Sequence, residues 1–447
     1  MAFNPTIKRK EENYRDIDTR ISSFLEAKIP LKKEEIYEQC QRCLQCPNPT
    51  CEKGCPLHLP IKSFIKALLD NDEDKAFELI NNVTPISLIC SIVCDYSSQC
   101  EGNCIRAKRN EAVKIGAIHR YIASLEKPLN PKKNTAKSKK IAVIGAGPSG
   151  LTLAYKLYEE GYQITVYERE KEIGGVPHYS IPEFRLTNED LRKALRIFKE
   201  TDIEFKLGKE VNLNEIIDKY DAVYIASGTQ KSKYMGIRGE DLPGVITSEE
   251  FLKDIKLNKG LEKYKDYNHV FVVGGGNVAM DVSRTLLRLG KKPTIVYRRS
   301  IEEAPCRKDE ILEAQEEGVH FAFLNNPVEY IGEDKLTQLK LIKMELGEPD
   351  ESGRRSPQEV KDSEYMVDAD LVILAIGSTL ENKHVEDIEL KRNLILTNNY
   401  QTSNPKVFAG GDAVTGPNTV VHAVKAGLEA ADAIKNFLSN RINISKS

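Results

Sequence analysis

Tryptophan is absent from the 447 residues, and methionine occurs only five times. Neither absence bears on function, but others do. No run of 18 or more apolar residues occurs, which excludes a membrane-spanning helix. The opening stretch, MAFNPTIKRKEENYRD, is charged and lacks the apolar core of a secretory signal, so a cytoplasmic location is expected. Net charge is also lacking: 65 Lys and Arg against 67 Asp and Glu leave −2, which argues against nucleic-acid binding by bulk charge. No Ser–His–Asp, paired-carboxylate or metal-hydrolase pattern is found. Cysteine is sparse over most of the chain. Nine of the ten lie between Cys40 and Cys104, and Cys306 stands alone. A disulfide framework belongs to small secreted domains, so this cluster reads as a metal-ligating block.

What is present is enough apolar sequence, 40%, for a packed core, and enough length for two to four domains of ~100–200 residues each. Residues 1–127 hold the cysteines and helical patterns. Ile61, Phe64, Ile65, Leu68 and Leu69 share one face of a predicted helix, and Lys114–Leu125 is another. Pro128–Lys140, with two Pro and five Lys, reads as a solvated linker. Beyond it the grammar is strand–helix–strand. Ile141–Gly145, a helix over Ser149–Gly161 and Ile164–Glu168 form one block. His269–Gly274, a helix over Val278–Leu289 and Thr294–Arg298 form a second. Ala222–Ser227 and Leu371–Gly377 are further buried-strand candidates. Such alternation predicts parallel sheets covered on both faces.

Each block carries a dinucleotide fingerprint between its strand and its helix. The first is Gly145-Ala-Gly147-Pro-Ser-Gly150. Gly145 permits the tight turn, Gly147 lets a pyrophosphate approach the backbone, and Gly150 lets helix pack on strand. Glu168, at the end of the second strand, suits a free ribose 2′-hydroxyl. The second fingerprint is Gly274-Gly-Gly276-Asn277-Val278-Ala279. There the position of Glu168 is taken by Arg298, followed by Arg299, and guanidinium groups fork onto a 2′-phosphate. The first site therefore suits FAD or NAD, and the second NADP. A bound flavin beside a diffusing nicotinamide is the sensible pair. In the tail, Asp412 is placed to hold the ribityl chain or the pyrophosphate edge, with a plain helix cap as its bland alternative. A helix starting around Thr419 and Val420 would turn its dipole toward the flavin ring.

The cysteine spacing is Cys43-x2-Cys46-x4-Cys51-x3-Cys55-Pro56, then Cys94-x5-Cys100-x3-Cys104. Runs of three and four closely spaced thiolates, one followed by Pro, suit 4Fe–4S clusters better than zinc, whose sites use paired cysteines. Seven cysteines and one further ligand would hold two clusters. The fold class expected is α/β: a helical iron–sulfur N-terminal domain over 1–127, then two Rossmann-like nucleotide-binding domains. FAD would bind to 141–235 with 375–447, and NAD(P) to 236–374.

These motifs together resemble the glutamate synthase small-subunit family. The likeness rests on Arg42–Pro56, Cys94–Cys104, Gly174–Leu186 (GGVPHYSIPEFRL), Gly274–Asp281, Tyr297–Ser300 and Ala409–Gly427, and it runs over nearly the whole chain. The family includes the cluster-bearing subunit of bifurcating NADH-dependent ferredoxin:NADP oxidoreductase and the NAD(P)H-oxidising part of dihydropyrimidine dehydrogenase. The resemblance implies that Cys43, Cys46, Cys51 and Cys104 hold one cluster, and that Cys55, Cys94 and Cys100 hold three corners of the other. It places His119 where relatives have a Glu or Gln ligand, with Cys90 or Cys40 as alternatives. It adds Gly175, Arg185, Gly228 and Gly411 to the FAD site. Departures are Ser180 in place of a Gly, Ala304 and Cys306 around Pro305, and the long Cys94–Cys100 spacing. Cys306 is expected to be structural.

The function expected is that of an FAD-dependent NAD(P)H oxidoreductase. Hydride would pass from nicotinamide C4 to flavin N5, with no protein nucleophile, and electrons would go on through two 4Fe–4S clusters to an acceptor subunit or ferredoxin-like protein. Hetero-oligomerisation is therefore expected. The alternatives are the corresponding subunit of a bifurcating transhydrogenase or dihydropyrimidine dehydrogenase complex, a catalytically silent nucleotide-binding or redox-sensing module, and a zinc-bearing reductase.

Overall fold

Apolar side chains three and four apart give the N-terminal helices their buried stripes. The computed structural model describes residues 3–108, 111–128, 131, 133–257, 260–351, 353–381, 385 and 387–444. Its first region contains α1 (Lys33–Gln41), α2 (Ile61–Leu69), α3 (Glu73–Asn81), α4 (Ser87–Val93) and α5 (Ile115–Ser124). All five apolar residues expected on one face of α2 are buried. The Asp72 side chain caps α3 by accepting from the Lys75 amide. Among the described residues no helix is long and apolar enough to cross a membrane.

The chain then runs through β1 (Lys140–Ile144), α6 (Pro148–Glu159), β2 (Gln163–Tyr167), β3 (Glu204–Lys206) and β4 (Ala222–Ile225). It crosses to β5 (Val245–Thr247), α7 (Ser248–Lys256), β6 (Val270–Val273), α8 (Asn277–Arg288), β7 (Thr294–Tyr297), α9 (Lys308–Glu317) and β8 (His320–Phe323). An antiparallel insertion follows: β9 (Asn325–Ile331), β10 (Gln338–Pro349), β11 (Arg355–Glu359) and β12 (Tyr365–Asp368). Then β13 (Leu371–Leu374) closes the second sheet, and β14 (Val407–Ala409) and α10 (Val420–Ile444) return to the first. The orders are β14-β4-β1-β2-β3 and β8-β7-β6-β13-β5, every pair parallel. The two crossings between sheets pair as a short ribbon, Lys231–Ser232 against Ser378–Thr379.

The cores differ. One continuous apolar cluster joins Ile36, Phe64, Ile86 and Ile118 of the helical region to Val143, Leu153 and Val424 of the first nucleotide-binding half. The second half has its own clusters, around Val272, Leu286 and Ile373 and around Val273, Leu339 and Val372. Part of the expected linker, residues 129, 130 and 132, lies outside the described residues. Of the rest, Asn134 and Lys137 donate their amides to the Glu159 and Gly161 carbonyls, 2.8 Å in each case. Lys137 also sits over the Tyr162 ring. This solvated segment is thus laid along the end of α6, whose last carbonyls need partners.

Candidate functional site

A Cβ added at Gly145, whose φ is +104°, would lie 2.4 Å from the Ala226 carbonyl oxygen. At Gly274, φ +140°, it would lie 2.3 Å from that of Ala375. The two fingerprints therefore make the same turn, each against the end of the neighbouring strand of its own sheet. At Gly150 a Cβ would strike the Gly145 carbonyl at 2.0 Å, which accounts for close helix packing. The middle glycines are different. Above Gly147 the nearest atom is a glycine Cα at 3.9 Å, and above Gly276 nothing lies within 4 Å. Each middle glycine opens onto a space at a helix N-terminus, as a pyrophosphate requires.

The space above the first fingerprint belongs to one cavity. It is lined by Gly145, Gly147, Glu168, Gly175, Gly228, Gly411, Asp412, Thr419 and Val420, nine of the residues expected to hold the flavin. Glu168 is fixed by two amides: Oε2 accepts from Ala146 at 2.7 Å and Oε1 from Glu170 at 2.9 Å. Burial pushes the Asp412 carboxyl up to about 7, while its Oδ1 accepts from the Asn418 amide at 3.3 Å. Thr419 Oγ1 pairs with His422 Nδ1 at 2.7 Å just ahead of α10. Sequence reasoning missed Thr247 and Lys253, which reach the same cavity from the second half. Lys253 pairs with Glu170 at 2.6 Å. No local motif marks them; only the crossing of the chain brings them there.

Arg185 does not line this cavity. Its guanidinium donates to both Asp281 oxygens, at 2.8 and 2.7 Å, and pairs with Glu310 at 2.9 Å. It docks the first half onto the second, because a buried cation takes the nearest carboxylates. Phe184 beside it lies beneath Arg284 and Arg288, whose partners are Glu313 and Glu317. Tyr14, Arg20 and Lys28, from the N-terminal region, complete the network on Glu313, Glu316 and Glu317.

At the second fingerprint Val278 and Arg298 are exposed, and Asn277 Oδ1 accepts from the Arg307 amide at 3.0 Å. Arg298 is the first residue past β7, as Glu168 is past β2. Arg299 departs from expectation. It is buried, its Nε donating to the Arg355 carbonyl at 2.8 Å and its Nη2 to Asp350. It anchors the β10–β11 hairpin, since adjacent residues past a strand face opposite ways. Arg298 alone of the pair is turned outward.

Cys43, Cys46, Cys51 and Cys104 line one small apolar cavity with Ile61, Ile65, Val113 and Ile115. Its walls are clamped by two buried arginines. Arg42 donates to the carbonyls of Ile7 and Glu111, and Arg106 to that of Arg42. Cys55, Cys94 and Cys100 are buried; burial raises the thiols of Cys55 and Cys100, and the neighbouring charge of Cys94 adds to it at both. Burial, with Cys104 and Cys43 nearby, pushes Cys51 up to about 12, so iron binding must displace thiol protons. Among the described residues no three His, Cys, Asp or Glu converge on a point for a single ion. In a cubane each cysteine thiolate binds a different iron. His119 is buried against Phe64, with Nε2 2.8 Å from Ser87 Oγ and not on a thiol. Cys90 is hydrogen-bonded to Cys94. Cys306 is buried at the edge of the second core.

Residues 139–427 match the family model of pyridine nucleotide-disulphide oxidoreductases, and residues 20–130 that of dihydropyrimidine dehydrogenase domain II, 4Fe-4S cluster. The chain is 37% identical to the glutamate synthase [NADPH] small chain of Escherichia coli (strain K12) over 460 residues, covering 97% of this chain and 98% of that one. Identity to the NADPH-Fe(3+) oxidoreductase subunit beta of Geobacter sulfurreducens is 34%, over 87% of this chain and 63% of the relative. Among solved structures, FprA from Mycobacterium tuberculosis in complex with NADPH superposes with a TM-score of 0.62 at 20% identity, over 69% of this chain and 86% of FprA.

Proposed function

The chain belongs to the glutamate synthase small-chain family, an NAD(P)H-dependent flavin and iron–sulfur oxidoreductase, and from that premise we propose that it oxidises NADPH and delivers electrons through FAD and two 4Fe–4S clusters to a separate acceptor subunit. The observation that carries this reading is that nine of the expected flavin residues line one cavity, while the second fingerprint is open above Gly276 and four of the expected cluster cysteines line a cavity of their own. Bound FAD supplies two-electron acceptance from reduced nicotinamide and one-electron release toward clusters. The protein's share is placement. Gly147 and the start of α6 receive the FAD pyrophosphate, Glu168 takes the ribose hydroxyls, and Asp412 and the start of α10 meet the other end. Gly276 and Arg298 receive the coenzyme, and Arg298 favours a 2′-phosphate.

Cys43, Cys46, Cys51 and Cys104 form the first cluster set. Cys55, Cys94 and Cys100 form the second, with His119 as fourth donor. Support for His119 is the tie between the first turn of α5 and the cysteine loop: the Gly116 amide donates to Glu101 at 2.9 Å, beside Cys100. Anaerobically purified protein is expected to hold about eight irons per chain and to bleach stoichiometrically with NADPH. Cys43→Ser and Cys94→Ser should each remove a different reduced-state EPR signal. Stoichiometric zinc with little iron would refute the cluster reading. His119→Ala should remove the same signal as Cys94→Ser; its survival there, with loss in Cys90→Ser, moves the ligand to Cys90.

A further inference from the structure

Arg307 touches both redox regions. It stands just before α9, in the second half, with its side chain 13% exposed. Its backbone amide donates to Asn277 Oδ1 at 3.0 Å, and Asn277 is the first residue of α8, directly after the open Gly276. Its Nη1 donates to the Cys94 carbonyl at 3.2 Å. Nε and Nη2 clasp both oxygens of Asp309, at 3.0 and 2.6 Å, which fixes the plane of the fork. Glu310 lies 3.7 Å from Nη2. Cys94 follows the last residue of α4, where a helix leaves carbonyls without partners and prefers a cation. The guanidinium fills that role from another part of the fold.

We propose that Arg307 is a positioning residue that couples coenzyme occupancy at the Gly276 turn to the reduction potential of the cluster bound by Cys94. The coupling rests on the two-cluster reading above. A fixed positive charge next to a cluster ligand stabilises the more negative, reduced cluster and raises its potential. A pyrophosphate arriving above Gly276 meets the helix start whose first side chain holds the Arg307 backbone. Movement there is passed within one residue to the carbonyl of Cys94. By linkage, reduction of that cluster changes coenzyme affinity by the same factor.

The test uses the full iron-loaded protein and 2′-phospho-ADP-ribose, which carries the pyrophosphate and 2′-phosphate but no nicotinamide. In EPR-monitored redox titrations, the midpoint of the signal lost in Cys94→Ser should shift when the probe saturates, and the other midpoint should not. Arg307→Gln should lower that midpoint without probe and abolish the shift. Arg307→Lys should keep the midpoint near its original value and still lose the shift. Asn277→Ala, cut at the opposite end of the link, should lose the shift with the probe-free midpoint unchanged, and decides the matter where Arg307→Gln fails to fold. Equal midpoints with and without probe in the unaltered protein, or a shift that persists in Arg307→Gln, overturns the proposal. Hydrogen exchange across Ser91–Cys100 gives a readout independent of iron. The probe should slow it in the unaltered protein and leave it unchanged in Arg307→Gln. Iron analysis separately reports failure of the two-cluster reading.

Discussion

The helical region meets the two nucleotide-binding halves with a different balance of contacts, although Arg120 also pairs with Asp190 of the first half. Toward the first half it shares one apolar core, running from Phe64 and Ile118 to Val143 and Val424. Toward the second it offers Tyr14, Arg20 and Lys28 to the carboxylates of α9, and the Cys94 carbonyl to Arg307. Apolar packing is non-directional and holds a fixed distance through many small contacts. Buried ion pairs are directional and add little net stability, but they are costly to break from one side. The contrast suits the two tasks. In the proposed function a resident flavin and its iron–sulfur partner need a constant separation, whereas the proposed coupling to a coenzyme that enters and leaves needs a directional contact.

The same contrast orders the expected effects of mutation. The largest belongs to the fingerprints. Gly145→Val drives a side chain into the Ala226 carbonyl from a left-handed φ, so the protein should purify without flavin absorbance. At Gly276 an added Cβ meets no atom within 4 Å, so in Gly276→Val flavin should remain while KM for NADPH rises more steeply than any fall in kcat. If both lose flavin, the halves are not separable in this way. Next comes the charged interface. Arg284, 1% exposed, serves Glu313 and Glu317, and Arg284→Ala should cost about 3 kcal/mol in denaturant unfolding by leaving these carboxylates to Lys28, Arg20 and Arg288 alone.

Smaller is the coenzyme term. Arg298→Ala should lower kcat/KM for NADPH roughly tenfold to a hundredfold, about 1.5–3 kcal/mol, and leave NADH unchanged. Arg299→Ala, acting through the hairpin it holds, should affect both coenzymes alike. Equal losses on NADPH alone from the two variants would show that Arg299 turns outward when coenzyme binds. The smallest effect belongs to Asp412, a titratable group on the first cavity. Asp412 ordinarily titrates near 3.8 and is raised to about 7 in the fold. Between those values the unfolded chain releases a proton that the folded chain keeps. Stability of flavin-stripped protein should therefore fall as pH rises from about 4 to 7, and level off above. Asp412→Asn should flatten that slope in thermal melts; an unchanged slope assigns it to another group.

Strands and fingerprint turns were legible in the sequence because each is a short apolar run ended by glycine, and the helix of Ile61–Leu69 because its apolar spacing has one period. The thiol groups were legible because cysteine is concentrated in one stretch. The β9–β12 insertion was not read from the sequence. Its longest strand, β10, carries charged and polar residues between its buried ones and offers no apolar run. Nor could sequence decide which of Arg298 and Arg299 faces outward, since the two are neighbours and only the hairpin tip, with Asp350, selects between them. Arg185 was read as a flavin ligand from the motif around it. Its carboxylate partners, Asp281 and Glu310, lie about a hundred residues away along the chain and come near only through the fold.

The shared core has a consequence for anyone who would dissect this protein. Cutting the chain near residue 130 to obtain a free-standing flavin reductase would strip cover from Leu153, Tyr155 and Val424, leaving a large oily face on the product. Such a fragment should aggregate, and attachment of a soluble fusion partner would not repair it, because the missing cover is shape-matched. An iron-free reductase is therefore better sought by replacing the cysteines in place, keeping the helices as packing, than by shortening the chain.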